Sequence, residues 1–178
     1  MYDLYQAQIA MLPINWESSN QFFFCNGEEK SSNDNPYDPI NNLYSLIGNR
    51  FGGDGNSNFA MPDLQDRQPD NIHYFIAWVG YYPLKKYSVP EVGYVGQVLL
   101  VAFTETDLPG NFLLCDGSLV DIKDYPDLFK TIGTKFGGNG TTNFALPDLQ
   151  SETPDEMLYA IVSAGTVPAS GGSADSNE

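Results

Sequence analysis

The chain has 178 residues, and its 23 acidic against 8 basic side chains give a formal net charge of −15 at pH 7. That balance argues against nucleic acid, which is held by Lys and Arg neutralising phosphates, and against adhesion to anionic membranes. A hydrophobic content of 42% supports a packed core, and no apolar run approaches the length of a membrane span.

Taken in order, the chain starts at Met1-Tyr-Asp-Leu-Tyr-Gln with no basic segment leading into an apolar one, so no secretory signal is visible. Residues 5–14 read as a strand ending at Pro13. After a polar loop, Phe22-Phe-Phe-Cys25 is a short apolar strand closed by Asn26-Gly27, a dipeptide that favours a tight turn with positive φ. Residues 28–37 are polar and breaker-rich, a surface loop. Asp38 can cap a helix with Pro39 in its first position, and Ile40, Leu43, Tyr44 and Ile47 follow a helical stripe that Gly48 ends. Gly52, Gly53 and Gly55 supply backbone freedom, with Phe51 and Phe59 as anchors into the core. Residues 58–64 run extended, because Pro62 disfavours the α region before it. A polar turn leads to a strand at 72–79, and 84–91 form a linker bearing Pro and Lys.

The pattern then repeats. Gly48 to Gln65 returns as Gly133 to Gln150 with 12 of 18 positions identical and no gap. Residues 92–103 form a strand richer in β-branched residues, and Phe112-Leu-Leu-Cys115 is followed by Asp116-Gly117 and a brief strand near Ser118 to Val120. Asp124 caps a second helix, with Tyr125, Leu128, Phe129 and Ile132 as its stripe and Gly133 at its end. Gly137, Gly138 and Gly140, with Phe136 and Phe144, copy the Gly-rich loop, and Met157 to Ser163 copy the last strand. The copies stand 85 residues apart over this region but 90 apart at Cys25 and Cys115, so the first carries five extra residues within 28–37. Residues 169–178 are small and polar, a disordered tail. The organisation is α+β: two tandem, mainly β repeats with one short helix each, at 1–84 and 91–168. Units of that size bury a modest share of their surface and gain from docking on each other or oligomerising.

Candidate chemistry is sparse. Cys25 and Cys115 occupy the same repeat position, so symmetry explains them as buried apolar thiols without a disulfide, and no CxxC or Cys/His cluster is present. The glycine loops follow a helix and lead into an extended segment, the reverse of a phosphate-binding loop. Asp54 and Asp63 could offer oxygens to Ca²⁺, yet Asp54 becomes Asn139, and the duplicated Pro62-Asp63 and Pro147-Asp148 are equally explained by an Asp capping local amides. No metal site, cofactor site or catalytic residue is expected, because His73 is the only histidine and its repeat partner is Leu158. Trp16, Trp78, Tyr81 and Tyr82 form a candidate partner surface that could stack on sugars; packing is the competing explanation.

These motifs resemble the phage tail collar domain family, whose pattern joins an aromatic–x–x–Cys-Asp-Gly turn, a helix ending Leu-Phe-x-Leu-Leu-Gly, an aromatic-Gly-Gly-Asp-Gly loop and Phe-Ala-Leu-Pro-Asp-Leu. Here they read Phe22 to Gly27, Leu43 to Gly48, Phe51 to Gly55 and Phe59 to Leu64, then Phe112 to Gly117, Leu128 to Gly133, Phe136 to Gly140 and Phe144 to Leu149. The chain departs in having Phe where Trp is usual, Leu64-Gln-Asp-Arg67 and Leu149-Gln-Ser-Glu152 in place of Leu-Arg-Gly-Arg, a second collar-like unit in place of a fibrous region, and no His-x-His metal motif. The resemblance implies a non-enzymatic structural or adhesive module of a virion tail or phage-derived particle. Its partners would be other tail or fibre proteins, with host attachment to a cell-surface glycan. Related short tail fibres are trimers, so three chains would present six similar units. A bacterial surface or secreted glycan-binding adhesin is the alternative, and an enzyme is remote.

Overall fold

The computed structural model describes residues 4–13, 20–33, 35–83 and 93–168. The expected linker (85–90), the expected tail (169–178) and Trp16 lie outside the described residues. Each repeat holds the same five strands and one helix. The first has β1 (Ile9–Leu12), β2 (Phe22–Phe24), β3 (Glu29–Ser31), α1 (Pro39–Ile47), β4 (Asn58–Ala60) and β5 (His73–Ala77). The second has β6 (Val98–Val101), β7 (Phe112–Leu114), β8 (Leu119–Asp121), α2 (Pro126–Ile132), β9 (Asn143–Ala145) and β10 (Leu158–Val162). The fold is α+β, with small antiparallel sheets and one short helix per repeat.

The last strand of each repeat is the centre of its main sheet, in the orders β1-β5-β2 and β6-β10-β7. The register is shared as well: Ile9 opposes Ile76 as Val98 opposes Ile161, and Phe22 opposes Ala77 as Phe112 opposes Val162. Consecutive side chains of a strand point to opposite faces, and since Phe75, Ile76 and Ala77 are all buried, as are Ala160, Ile161 and Val162, both faces of each central strand are covered. The turns at Asn26-Gly27 and Asp116-Gly117 do not close hairpins. They carry the chain out of the main sheet into β3 and β8, which pair with β4 and β9 in separate two-stranded sheets. Glu29–Ser31, expected as loop, is therefore a strand. The shortened loop after it is held by Asn41, whose amide donates to the carbonyls of Asn33 (2.8 Å) and Asn35 (2.6 Å).

The first helix begins as the sequence dictates. The Asp38 carboxylate accepts the Ile40 N–H at 3.0 Å, Pro39 follows it, and Ile40, Leu43, Leu46 and Ile47 are buried. The second does not. Pro126 takes its first position, two residues later than Pro39 in repeat register, so Tyr125 precedes the helix and no side chain caps it. Asp124, the expected cap, lies one residue too early. The first strand also starts later than expected, because Ala7 has φ 62° and turns the chain just ahead of β1. None of the described helices is long and apolar enough to cross a membrane.

The repeats share a core. One buried cluster takes Tyr5, Leu43, Ile47, Phe59 and Ile76 from the first repeat and Val101, Ala102, Phe103, Phe112 and Met157 from the second. A smaller cluster around Leu128, Phe144, Leu146 and Ile161 belongs to the second repeat. Between the main sheets, the Ala102 N–H donates to the Ala7 carbonyl at 2.8 Å, next to an antiparallel bridge between Gln8 and Val101. Arg50 clamps the junction. Its Nε donates to the Ile47 carbonyl at 3.1 Å at the end of α1, while its terminal nitrogens reach the carbonyls of Ala102 and Glu156 in the second repeat. Burial pulls the guanidinium pKa down, with Glu156 and Asp107 opposing.

Candidate functional site

In each repeat, the segment after β2 or β7 lies antiparallel to the segment after β4 or β9. The Gly27 N–H donates to the Pro62 carbonyl (3.2 Å) and the Leu64 N–H to the Cys25 carbonyl (2.9 Å); Gly117 and Leu149 repeat both bonds to Pro147 and Cys115. Asp63 accepts the Gln65 N–H at 3.2 Å, and Asp148 accepts that of Gln150 at 3.3 Å. Each starts a 3₁₀ turn, Gln65–Arg67 and Gln150–Glu152. Both Asp side chains therefore cap local amides.

The Gly-rich loops fold back on the strands that follow them. The Gly52 carbonyl accepts the Ala60 N–H at 3.0 Å, and the Gly137 carbonyl accepts that of Ala145 at 3.1 Å. Gly52 (φ +122°) and Gly137 (φ +123°) also let each loop pass close over an alanine side chain, so they serve the backbone and offer no ligand group.

Within each loop one side chain gathers the amides. The Asp54 carboxylate accepts the N–H groups of Asn58 (2.7 Å), Asn56 (2.9 Å) and Ser57 (2.8 Å). Asn139 accepts the same three in its repeat, at 3.2, 2.9 and 2.8 Å from Asn143, Thr141 and Thr142. An acceptor is needed here, and a charge is not. The backbone N–H groups, that of Asn58 foremost, hold the Asp54 pKa well below the usual carboxylate range. A depressed carboxylate contributes stability that is present above its unfolded pKa of about 3.9 and is lost as pH falls through the lower folded value. We expect Asp54→Asn to keep the neutral-pH fold and to flatten the fall in Tm below about pH 4. Thermal melts across an acid series check this, and identical acid slopes for both proteins would refute it.

Phe59 and Phe144 are fully buried, each against the ring of a helix aromatic: Tyr44 at 5.1 Å and Phe129 at 5.4 Å. Phe51 and Phe136, which the repeat makes equivalent, are not alike. Phe51 packs against the shared core under Arg50, whereas Phe136 is exposed, because no second unit covers that side of the second repeat. Cys25 and Cys115 are free, buried thiols. Burial pushes Cys25 well up and Cys115 up to about 12, so neither offers a thiolate at neutral pH.

Two clefts stand at equivalent places, between the 3₁₀ turn and the main sheet of each repeat. The first, about 430 Å³, is lined by Phe24, Asn26, Glu28, Gln65, Gln68 and His73. His73 shares a hydrogen bond through Nδ1 with Gln68 Oε1 at 2.8 Å, and its ring meets Phe24 edge-on at 5.6 Å. The second, about 230 Å³, has Leu114, Thr153 and Leu158 in the places of Phe24, Gln68 and His73, with Met157 and Tyr159 beside them. Both clefts hold a glutamine at the same repeat position, Gln65 and Gln150; the first adds Glu28, Gln68 and His73 beside an aromatic wall, while the second has more apolar side chains. The cleft-lining role of Phe24, Asn26, Glu28, Gln65 and Gln68 escapes a reading of the sequence, although the His73/Leu158 mismatch in the repeat marks the place. Among the described residues, no group of three or more His, Cys, Asp and Glu side chains is set to hold a metal ion.

The expected partner surface is largely drawn into packing. Trp78 stacks on Phe23 at 5.1 Å, Tyr81 lies 6.5 Å from Tyr5, and the Tyr82 hydroxyl is 3.0 Å from Ser45 Oγ; all three are partly buried against the core.

No curated protein and no solved structure matches the chain. The family model for the phage tail collar domain matches it twice, at residues 7–69 and 96–154. Each match takes in one set of paired Cys-Asx-Gly and Pro-Asp-Leu segments with the helix and Gly-rich loop between them. Together the matches span well over half of the residues, and the chain belongs to the phage tail collar domain family.

Proposed function

We propose that the chain is a non-enzymatic structural component of a phage tail or tail fibre, or of a phage-derived particle, serving assembly and host attachment. The observation that carries this is the double collar match, one per repeat. Two collar units, bounded at 1–84 and 91–168, would associate with other tail or fibre proteins. In this reading the signature residues serve the fold: Cys25, Gly27, Pro62 and Asp63, with Cys115, Gly117, Pro147 and Asp148, hold the paired segments together. Mass spectrometry of density-purified particles tests the assignment. Stoichiometric recovery with tail or sheath proteins is expected. Clean absence from particles, with the protein on cells or free, would overturn it and favour the adhesin.

Attachment is assigned to the polar cleft of the first repeat, which combines an aromatic wall with amide and carboxylate groups, the chemistry that grips a sugar's apolar face and hydroxyls. Replacing His73 by its repeat counterpart (His73→Leu) together with Gln68→Thr is expected to lower binding to host cell-surface glycan at least tenfold, about 1.4 kcal/mol, with Tm little changed. Unchanged binding would remove the cleft from attachment.

A further inference from the structure

The amide side chains of the first-repeat cleft use only part of their hydrogen-bonding capacity. Asn26 Oδ1 accepts the Glu28 N–H at 3.1 Å, and the Asn26 carbonyl accepts from Gln65 Nε2 at 3.2 Å. Gln68 Oε1 is taken by His73 Nδ1 at 2.8 Å. These bonds set which way each amide lies. They leave the Asn26 and Gln68 NH2 groups as donors and Gln65 Oε1 as an acceptor, with no hydrogen-bond partner among the described residues. Beside them stands the half-buried ring of Phe24, which rests on Phe75 at 4.6 Å and 30°. Donors, an acceptor and an aromatic wall together match a pyranose, whose hydroxyls both donate and accept and whose C–H face lies on a ring.

Charge decides which pyranose. Among the described residues that line the cleft, none is Lys or Arg, and Glu28 carries the only carboxylate. Its countercharge is already in place: Lys30 Nζ lies 2.6 Å from Glu28 Oε1 and 4.7 Å over the Phe23 ring. A sugar carboxylate offers acceptors alone and is received by a guanidinium or ammonium group. Here it would meet Glu28, on a chain of net charge −15. The second repeat does not rebuild this arrangement, since Ser118, Val120, Thr153 and Leu158 replace Glu28, Lys30, Gln68 and His73.

We propose that the first-repeat cleft selects neutral pyranoses and rejects those that bear a carboxylate. The inference rests on the assignment of host attachment to this cleft and adds the class of sugar. Glu28 is the residue that sets the selection, and Lys30 is the positioning residue that holds it.

The test is binding of the full chain to an array of neutral hexose and N-acetylhexosamine glycans. Each is set beside its counterpart with the primary hydroxyl oxidised to a carboxylate. At low salt the acidic counterpart is expected to bind about tenfold more weakly than the neutral glycan, and the gap is expected to narrow as salt screens the repulsion. Glu28→Gln leaves Lys30 uncompensated and is expected to close or reverse the gap. His73→Leu with Gln68→Thr is expected to weaken both arms, which places the binding in the cleft. Unchanged circular dichroism shows that the variants fold. Acidic glycans bound as tightly as neutral ones, or a gap that Glu28→Gln leaves untouched, would overturn the selection and keep the cleft as the attachment site. No binding to any glycan, or binding that survives the double substitution, would overturn both.

Discussion

Gly138→Ala is expected to cost about 3 kcal/mol or more, a large share of the stability of a domain this size. Gly138 sits at φ +92°, and a Cβ there would lie 2.4 Å from the Phe144 Cα and 2.9 Å from the Asn143 carbonyl oxygen. Both obstacles are backbone, so no rotamer change relieves them, and the loop must lift from β9 and draw Phe144 out of the core. Gly53 is in the same position, 2.5 Å from the Asn58 oxygen and 2.6 Å from the Phe59 Cα. The control is Gly133→Ala. Gly133 also has positive φ, at +58°, but nothing lies within 4 Å of its Cβ position. With ψ at −140°, Gly133 lies in a region that L residues rarely enter, so a backbone penalty of about 1–3 kcal/mol applies there with no clash added to it. Urea unfolding of the two variants separates close approach from backbone conformation, and equal midpoints would mean that the loop is not locked over β9.

What could be read from the sequence was local. Asp38-Pro39 and the stripe behind them marked α1, since cap, first-position proline and apolar spacing all act within a few residues. The strands β5 and β10 and the burial of Phe59 and Phe144 were legible for similar reasons. The second cap was not: Asp124 is an adequate N-cap residue, but Pro126 fixes the helix start downstream of it. Nor was the pairing of β2 with β5, because Asn26-Gly27 reads as a hairpin turn and only long-range packing sends the chain elsewhere. Treating the repeats as equal hid the largest feature. Phe51 and Phe136, or Tyr5 and Tyr94, share a motif position, yet the contact between the repeats covers one of each pair and leaves the other exposed. The polar cleft was hidden likewise, since Phe24, Gln68 and His73 meet only after the main sheet and the 3₁₀ turn have formed.

Phe112→Ala is expected to destabilise by about 3–5 kcal/mol and to change how the molecule unfolds. The Phe112 ring is buried at the junction, against Tyr5 from the other repeat, within a cluster that both repeats build. Truncation removes contacts that no rearrangement inside one repeat restores, and it leaves Tyr5, otherwise fully enclosed, beside a void. Because the first repeat's apolar residues lie mainly in that shared cluster, it depends on the junction. The second repeat keeps its own cluster around Leu128 and Phe144 and depends on it less. Calorimetry on the wild type is therefore expected to show one cooperative transition. Phe112→Ala is expected to split it, with the first repeat melting ahead of the second. The counterpart variant Phe22→Ala removes the same side chain from a partly exposed site, where the ring meets Phe75 of its own repeat at 6.2 Å, so a smaller loss and an unsplit transition are expected. Equal losses from the two substitutions, each with a single transition, would contradict a shared core and mean that the repeats stand as independent units.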